Sequence, residues 1–347
     1  HVHLREPGRE GDETIASGTA AAARGGVTTV LAMPNTEPPI DNPSLVRFVR
    51  AKADAEAVVN VLVSGAATIG QKGEQLTETR RLAEAGVSAI TDDGRPVMDS
   101  ELMRRALEYC KDSGLVFIDH CEDLHLSGGA PVHEGVAATI KGLRGAPWAA
   151  ETVMVLRDIA LAELTGAKVH IAHISAAQSV AAVREAKRHG LSVTAEAAPH
   201  HFALCDGDIE GYDADFKMNP PLRTQEDVDA LREGLADGAI DAIATDHAPH
   251  GPGKKALGMQ LAPFGAIGLE TSLGVAMTRL LAKGLLNKKQ LIERMSAAPA
   301  RILGLKSKGA LKKGFDADIT VIDPAKTWTV EAPFASKSRN CPFLGMK

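Results

Sequence analysis

Residues 167–201 read "AKVHIAHISAAQSVAAVREAKRHGLSVTAEAAPHH". The stretch opens and closes with short apolar runs, 167–175 and 191–201, of the kind that form buried strands. Between them, 178–189 has helical patterning, and Gly190 follows in the place of a helix C-cap. Strand, helix and strand in that order make a parallel βαβ unit. The unit repeats along the chain. Further strand-like runs lie at 26–36, 58–68, 86–94, 114–123 and 240–250, and helix-like segments at 44–56, 99–113, 149–165 and 225–236. With "HVHL" (1–4) as the tail of a first strand, the strands number eight, which predicts a closed (β/α)8 barrel of the TIM type. An open doubly wound sheet would carry a GxGxxG turn after its first strand, and none is present.

The chain has 347 residues, of which 44% are hydrophobic and only 3% aromatic, so Ala, Gly, Val and Ile must build the core. A net charge of −5 gives no reason to expect nucleic acid or an anionic membrane as partner. Cys110, Cys121, Cys205 and Cys341 lack CxxC spacing, which argues against a disulfide framework or thiolate zinc site and for a reducing, cytoplasmic setting. No signal peptide and no membrane-length apolar run is visible. After residue 301 the character changes. "KGALKKGFDADITVIDP" (308–324) alternates like strands between Gly-bounded turns. The expected organisation is therefore a barrel over 1–301 and, over 302–347, part of a small β-sandwich module whose N-terminal half is absent from this chain.

In such barrels, chemistry sits at the C-terminal ends of the strands. Eight of the twelve histidines fall there: His1, His3, His120, His173, His200, His201, His247 and His250. In "HVHLR", residues i and i+2 share a face, so His1, His3 and Arg5 aim at one point. In "KVHIAHIS" (168–175), His170 and His173 have opposite parity, so only one can face the barrel interior. His173 is nearer the strand end and is chosen; His170 is then expected against the helices. His125, His133 and His189 fall in loops or helix ends and read as solvated. Asp92 and Asp93 could cap the turn before Gly94, and Asp246 and His250 could start a helix. Taken jointly, histidines and carboxylates gathered at one rim fit hydrolysis assisted by two divalent metals about 3.5–4 Å apart. A carboxylate must bridge such a pair, because an imidazole nitrogen binds one ion at a time. A further carboxylate can carry the proton to a leaving nitrogen.

The segments "HVHLREPG" (1–8), "MPNT" (33–36), "DDG" (92–94), "HCED" (120–123), "HIAHIS" (170–175), "TAEAAPHH" (194–201), "KMNPPLR" (217–223) and "ATDHAPH" (244–250) carry a family resemblance. With "APFGAIGLET" (262–271) and "SAAPARILGL" (296–305), the chain strongly resembles the type I dihydroorotases of the amidohydrolase superfamily along nearly its whole length. The resemblance implies a cytoplasmic, zinc-dependent cyclic amidase of pyrimidine biosynthesis that interconverts N-carbamoyl-L-aspartate and L-dihydroorotate. It implies two zinc ions, with His1 and His3 on the first, His120 and His173 on the second, and Asp93 as bridge. Asp246 would ligate the first metal and serve as general base and acid. Arg5, Asn35 and His250 would grip the substrate carboxylate, and Asn219 would touch the ring edge. A homodimer is expected, with aspartate carbamoyltransferase as a candidate partner.

Departures from the family pattern bear on this reading. Many superfamily members bridge their metals with a carboxylated lysine; "GVSAITDDG" (86–94) has none, which counts against the hydantoinase branch. The choice of Asp93 over Asp92 rests on the family pattern, since spacing does not decide it. The loop "GPGKKALGMQLAPFG" (251–265) lacks the acidic residues usual there, and Cys341 stands where threonine is usual. Two other functions compete: an allantoinase-like cyclic amidase, and a non-catalytic subunit that scaffolds a carbamoyltransferase. A substrate carboxylate matched to Arg5, Asn35 and His250 argues against the first, and the complete ligand set against the second.

Overall fold

A computed structural model describes residues 1–347. Nine strands occur in chain order: β1 Thr29–Ala32, β2 Asn60–Gly65, β3 Ala89–Ile90, β4 Val116–Asp119, β5 Val132–His133, β6 Gly145–Ala146, β7 Val169–Ile171, β8 Val193–Ala197 and β9 Ala242–Ile243. Seven of them form one parallel sheet in the order β1-β2-β3-β4-β7-β8-β9, while β5 and β6 pair separately. The first strand of the barrel is reduced to Val2, which bridges Ala32 on one side and His247 on the other and so closes the ring. Backbone bonds from Val2 N to Leu31 O and from His3 N to His247 O, 3.1 and 2.9 Å, seal that seam. The fold is the (β/α)8 barrel that the alternation predicts.

Helices follow the expected segments closely, because their end signals are local. Asn42 caps Pro43–Glu56 by accepting from Ser44 N and Leu45 N, and Asp99 caps Ser100–Asp112 through Leu102 N. Thr224 and Asp227 make a reciprocal capping box for Gln225–Asp237. Ala149–Thr165 stops at Gly166, whose φ of 68° a side chain would resist, and the chain turns into β7. No helix is long and apolar enough to cross a membrane.

Strand parity sorts the sheet into two faces. Val30, Val63, Ile90, Phe117, Val169, Ile171, Ala195 and Ile243 point outward into the main apolar core beneath the helices. Leu31, Met33, Ala89, Val116, Ile118 and Ala172 point into the lumen as a separate, smaller cluster. Beyond Ile302 the chain has no helix or strand. The alternating stretch 315–323 forms no strand, and Ile319 and Val321 stay exposed there. From Val330 onward the chain returns to the barrel as an extended strap, with Ser336, Ser338 and Asn340 buried and Lys337 and Arg339 exposed in alternation.

Candidate active site

The strand ends converge on one polar cavity of about 580 Å³, lined by residues that include His3, Arg5, Asn35, Asp93, His120, His173, Asn219, Asp246 and His250. Only four non-glycine residues in the chain have positive φ: Arg5 at 61°, Gln71 at 52°, His173 at 28° and Asp246 at 43°. All four line this cavity. Backbone strain of this kind costs of order 1–3 kcal/mol per residue and persists where surrounding structure enforces it. The mouth is therefore held in shape against local preference.

The donors meet around Asp93. Its Oδ1 lies 3.3 Å from His1 Nε2 and 3.7 Å from His173 Nε2, and its Oδ2 lies 3.5 Å from His3 Nε2. Asp246 Oδ1 lies 3.1 Å from His3 Nε2 and 3.6 Å from His1 Nε2. His120 Nδ1 and His173 Nε2 approach to 3.0 Å. Three of these imidazoles donate their outer N–H to a fixed acceptor: His1 Nδ1 to Glu196 Oε1 at 2.7 Å, His3 Nδ1 to Asn35 Oδ1 at 2.8 Å, and His120 Nε2 to Glu122 Oε2 at 3.0 Å. A neutral imidazole with one nitrogen donating presents a lone pair at the other. Those lone pairs all point inward, at carboxylate oxygens and at each other. Such an arrangement is repulsive unless a positive charge sits among them, and it is how metal-binding histidines are oriented. His1 Nε2 and Asp93 Oδ1 are buried without a hydrogen-bond partner. Two overlapping groups, His1–His3–Asp246 and His1–Asp93–His173, bring their ligand atoms within 4.8 Å of one another. The set is nitrogen and oxygen only, which suits zinc and its neighbours.

The electrostatics agree. Burial works against charge on His1, yet Asp93 and Glu196 hold its pKa well above the ordinary imidazole range. For His120, burial is likewise outweighed by Glu122, which lifts it to about 9. Burial favours the neutral acids at Asp93 and Asp246, but the imidazoles keep both carboxyls well below the usual range. The cluster therefore attracts positive charge to its centre.

On the opposite side of the cavity, Arg5 donates from Nε to Pro249 O at 3.2 Å and lies 3.2 Å from His250 Nε2. Burial and Arg9 lower its pKa to about 10, so it remains a cation at neutral pH. His250 donates from Nε2 to Phe264 O at 2.7 Å, and burial with Arg5 holds its pKa down to about 3. Asn35 gives its carbonyl oxygen to His3, which leaves its amide N–H groups for the cavity. Asn219 donates to Glu122 Oε2 at 2.7 Å beside His120. The loop 251–265 forms two short turns, Pro252–Lys255 and Gly258–Leu261. Buried Lys255 pins it by donating to Lys217 O, Pro263 O and Gly265 O at 3.3, 3.1 and 3.0 Å.

Asp92 and Asp93 separate cleanly. Asp92 turns away and accepts from Ala67 N, Thr68 N and the Thr68 hydroxyl, tying the loop after β2 to the turn after β3. Two expectations are corrected. His170 does not face the helices. It donates or accepts within the lumen, 2.8 Å from Thr194 Oγ1 and 3.1 Å from Glu196 Oε2. Parity misleads there because β7 ends at Ile171 and the chain then takes the left-handed turn at His173, so both histidines end inside the barrel. His133 is not solvated but buried, 3.2 Å from Arg223. His125 and His189 are exposed. His200 and His201 are buried but lie outside the donor cluster; His201 Nε2 donates to Pro220 O at 2.8 Å. His247 donates to Glu13 at 3.2 Å and serves the barrel seam. The reading of the sequence missed Glu122, Glu196 and Gln71. Glu122 stands two residues after His120, and Glu196 stands on the lumen side of β8; acidic residues at strand ends were the available signal.

Comparison with known proteins completes the description. A family model described as Dihydro-orotase-like matches residues 1–179. The chain is 55% identical to the dihydroorotase of Pelotomaculum thermopropionicum over 346 residues, covering 99% of this chain and 81% of that protein. It is 53% identical to the dihydroorotase of Geotalea daltonii, covering 100% of this chain and 81% of that protein. Among solved structures, the L-hydantoinase (dihydropyrimidinase) of Arthrobacter aurescens superposes with a TM-score of 0.89 at 25% identity, over 100% of this chain and 79% of that one. A D-hydantoinase crystal structure gives 0.85 at 22% identity, over 100% and 79% respectively, a likeness of fold alone.

Proposed function

We infer the roles of the residues at the barrel mouth from one premise: the chain belongs to the dihydroorotase family. It is a hydrolase of cyclic amide C–N bonds, a dihydroorotase of pyrimidine biosynthesis that takes a small-molecule substrate. The allantoinase-like and non-catalytic readings are not favoured. What we propose beyond that is the assignment of roles. His1 and His3 would hold one zinc ion and His120 and His173 a second, with Asp93 shared between them and Asp246 a further ligand of the first. The observation that supports this is the set of imidazoles turned inward around Asp93, three of the four (His1, His3 and His120) fixed by an outer acceptor. Four buried carboxylates, Asp93, Glu122, Glu196 and Asp246, stand among the imidazoles there. Two divalent ions would balance that charge and leave Arg5 free for an anionic substrate.

Bound there, divalent ions would supply Lewis acidity to the scissile carbonyl and a water acidic enough to attack at neutral pH. The chain's own groups do the rest. Arg5 offers a guanidinium fork to the substrate carboxylate and so fixes the ring's orientation. Asn35 adds an amide N–H, and His250, held on Phe264 O, borders the carboxylate pocket beside Arg5. Asn219, held on Glu122, borders the ring edge. In the hydrolytic direction Asp246 takes a proton from the attacking water onto a carboxylate oxygen and returns it to the departing amide nitrogen. In cyclisation it takes the proton from the attacking ureido nitrogen and returns it to the departing oxygen, which leaves as water.

The same reading keeps the barrel over 1–301 and assigns 302–347 to a small β module, an assignment supported by the exposed apolar side chains of Leu311, Ile319 and Val321. It also includes a homodimer, a cytoplasmic location and aspartate carbamoyltransferase as candidate partner. The test is elemental analysis of protein purified without added metal, run beside a dihydroorotate hydrolysis assay. Two equivalents of zinc and chelator-sensitive turnover are expected. Turnover that survives complete chelation would overturn the metal assignment.

A further inference from the structure

The C-terminal strap reaches the pocket through one side chain. Asn340 is buried, and its amide spans two neighbouring turns of the barrel mouth. Nδ2 donates to Ala248 O in one turn and to Gly265 O in the other, both at 3.0 Å. Oδ1 accepts from His250 N at 3.2 Å, and the backbone O accepts from Ile267 N at 2.8 Å. The two turns touch directly. Gly265 has φ of 130°, and a Cβ there would stand 2.5 Å from the Cβ of Ala248. The carbonyl that receives the His250 ring belongs to Phe264, next to Gly265. Asn340 thus controls both ends of His250, its backbone N–H and the acceptor of its imidazole.

We propose that Asn340 is a positioning residue for substrate recognition: it staples the 247–250 turn to the 264–267 turn and so fixes the His250 imidazole beside Arg5. This rests on the reading that Arg5 and His250 hold the substrate carboxylate. The chemistry explains the residue type. The site needs two donors and one acceptor on one planar group, which aspartate, leucine and threonine of similar size cannot supply. The strap is itself anchored at a distance from the chemistry. The Ser336 hydroxyl and Lys337 N both bond Glu13, and the Ser338 hydroxyl donates to Asp12 O at 2.7 Å. Asp12 in turn accepts from Gly251 N at 2.9 Å, one residue past His250. Residues 12–13 and 336–340 therefore form a frame on which the substrate-side turn is mounted.

The test compares steady-state kinetics of the metal-loaded full chain with L-dihydroorotate. Asn340→Ala should raise KM about tenfold or more, the size expected for stranding buried polar groups, with kcat and metal content little changed. The double variant Asn340→Ala/His250→Ala should have the KM of His250→Ala alone, because both changes remove one function. Asn340→Asp keeps the acceptor for His250 N but faces two carbonyls with a carboxylate. Its KM, relative to wild type at each pH, should fall towards unity as pH drops and the carboxyl gains a proton to donate. Asn340→Asp also carries the test where Asn340→Ala is too unstable to purify. An Asn340→Ala protein with lowered Tm but unchanged KM, or KM effects that multiply in the double variant, would overturn the proposal alone. An unchanged KM in His250→Ala would overturn the underlying carboxylate reading and the proposal with it.

Discussion

The outer wall of the barrel and its mouth are built from the same strands, yet they follow opposite rules. The outward residues of β3, β4 and β7, such as Ile90, Phe117 and Ile171, are fully buried in a core of 61 residues, against six in the lumen cluster. Apolar burial there is non-directional and needs no special backbone. At the mouth, every non-glycine residue with positive φ in the chain lines one cavity, and inward lone pairs face carboxylates. The wall therefore carries the stability that lets the mouth stay strained and charged. The difference should appear in mutants: changes at the mouth should cost activity with little loss of stability, and changes in the wall should do the reverse.

The largest expected effect lies at the mouth. Asp246→Asn keeps the side chain's size and removes its capacity to accept a proton, so turnover of dihydroorotate should fall about 10²–10⁴-fold with Tm nearly unchanged. Rates close to wild type would show that another group moves the proton. The counterpart in the wall is Phe117→Ala. Phe117 is fully buried, and truncation should lower stability by about 3–5 kcal/mol, seen in denaturant unfolding. KM and metal affinity, measured at a temperature where the variant stays folded, should not move. A parallel loss of metal affinity would mean that wall and mouth are not separable.

Much of this division is legible in the sequence. The alternation of runs and helices yields the barrel because strand parity, caps and Gly stops are local properties. The same locality places His1, His3, His120 and Asp246 at strand ends. The chain's departures from regular geometry are not legible. Parity assigned His170 to the wrong face because it assumes that a strand continues, whereas β7 stops at Ile171 and His173 turns left-handed. Two adjacent aspartates looked alike, and only tertiary contacts send Asp92 to Thr68 and Asp93 to the histidines. The positive φ of Arg5 leaves no trace in residue type, because it is enforced by neighbours distant in the chain. The distant partners of 336–340 are also invisible, since they lie some 66–326 residues away.

A middle-sized effect should come from the layer joining the two regions. Glu196 sits on the lumen face of β8, accepts from His1 and lies 3.1 Å from His170. Glu196→Gln replaces a charged acceptor with a neutral amide and loosens the orientation of the His1 ring. Metal affinity, measured by chelator competition, should drop about 10–100-fold, with a smaller change in kcat at saturating metal. An unchanged affinity would show that His1 is positioned by the seam alone.

The smallest effect is expected at the rim, where neither rule dominates. Asp215 is half-buried on the turn beneath the 251–265 loop, and burial together with Asp213 raises its pKa to about 6. In the unfolded chain the same carboxyl titrates near its ordinary value of about 3.9. Between these values the native state holds the extra proton, so the contribution of Asp215 to stability is fully present below about pH 4 and is lost as pH rises through 6. Asp215→Asn removes that titration. Relative to wild type its Tm should rise with pH across this window, and the gain at pH 7 should stay below about 1 kcal/mol because solvent screens a half-exposed group. Should the difference between the two proteins be independent of pH from 4 to 7, the rim carboxylate is solvated like any surface acid, and the boundary of the buried mouth lies inside it.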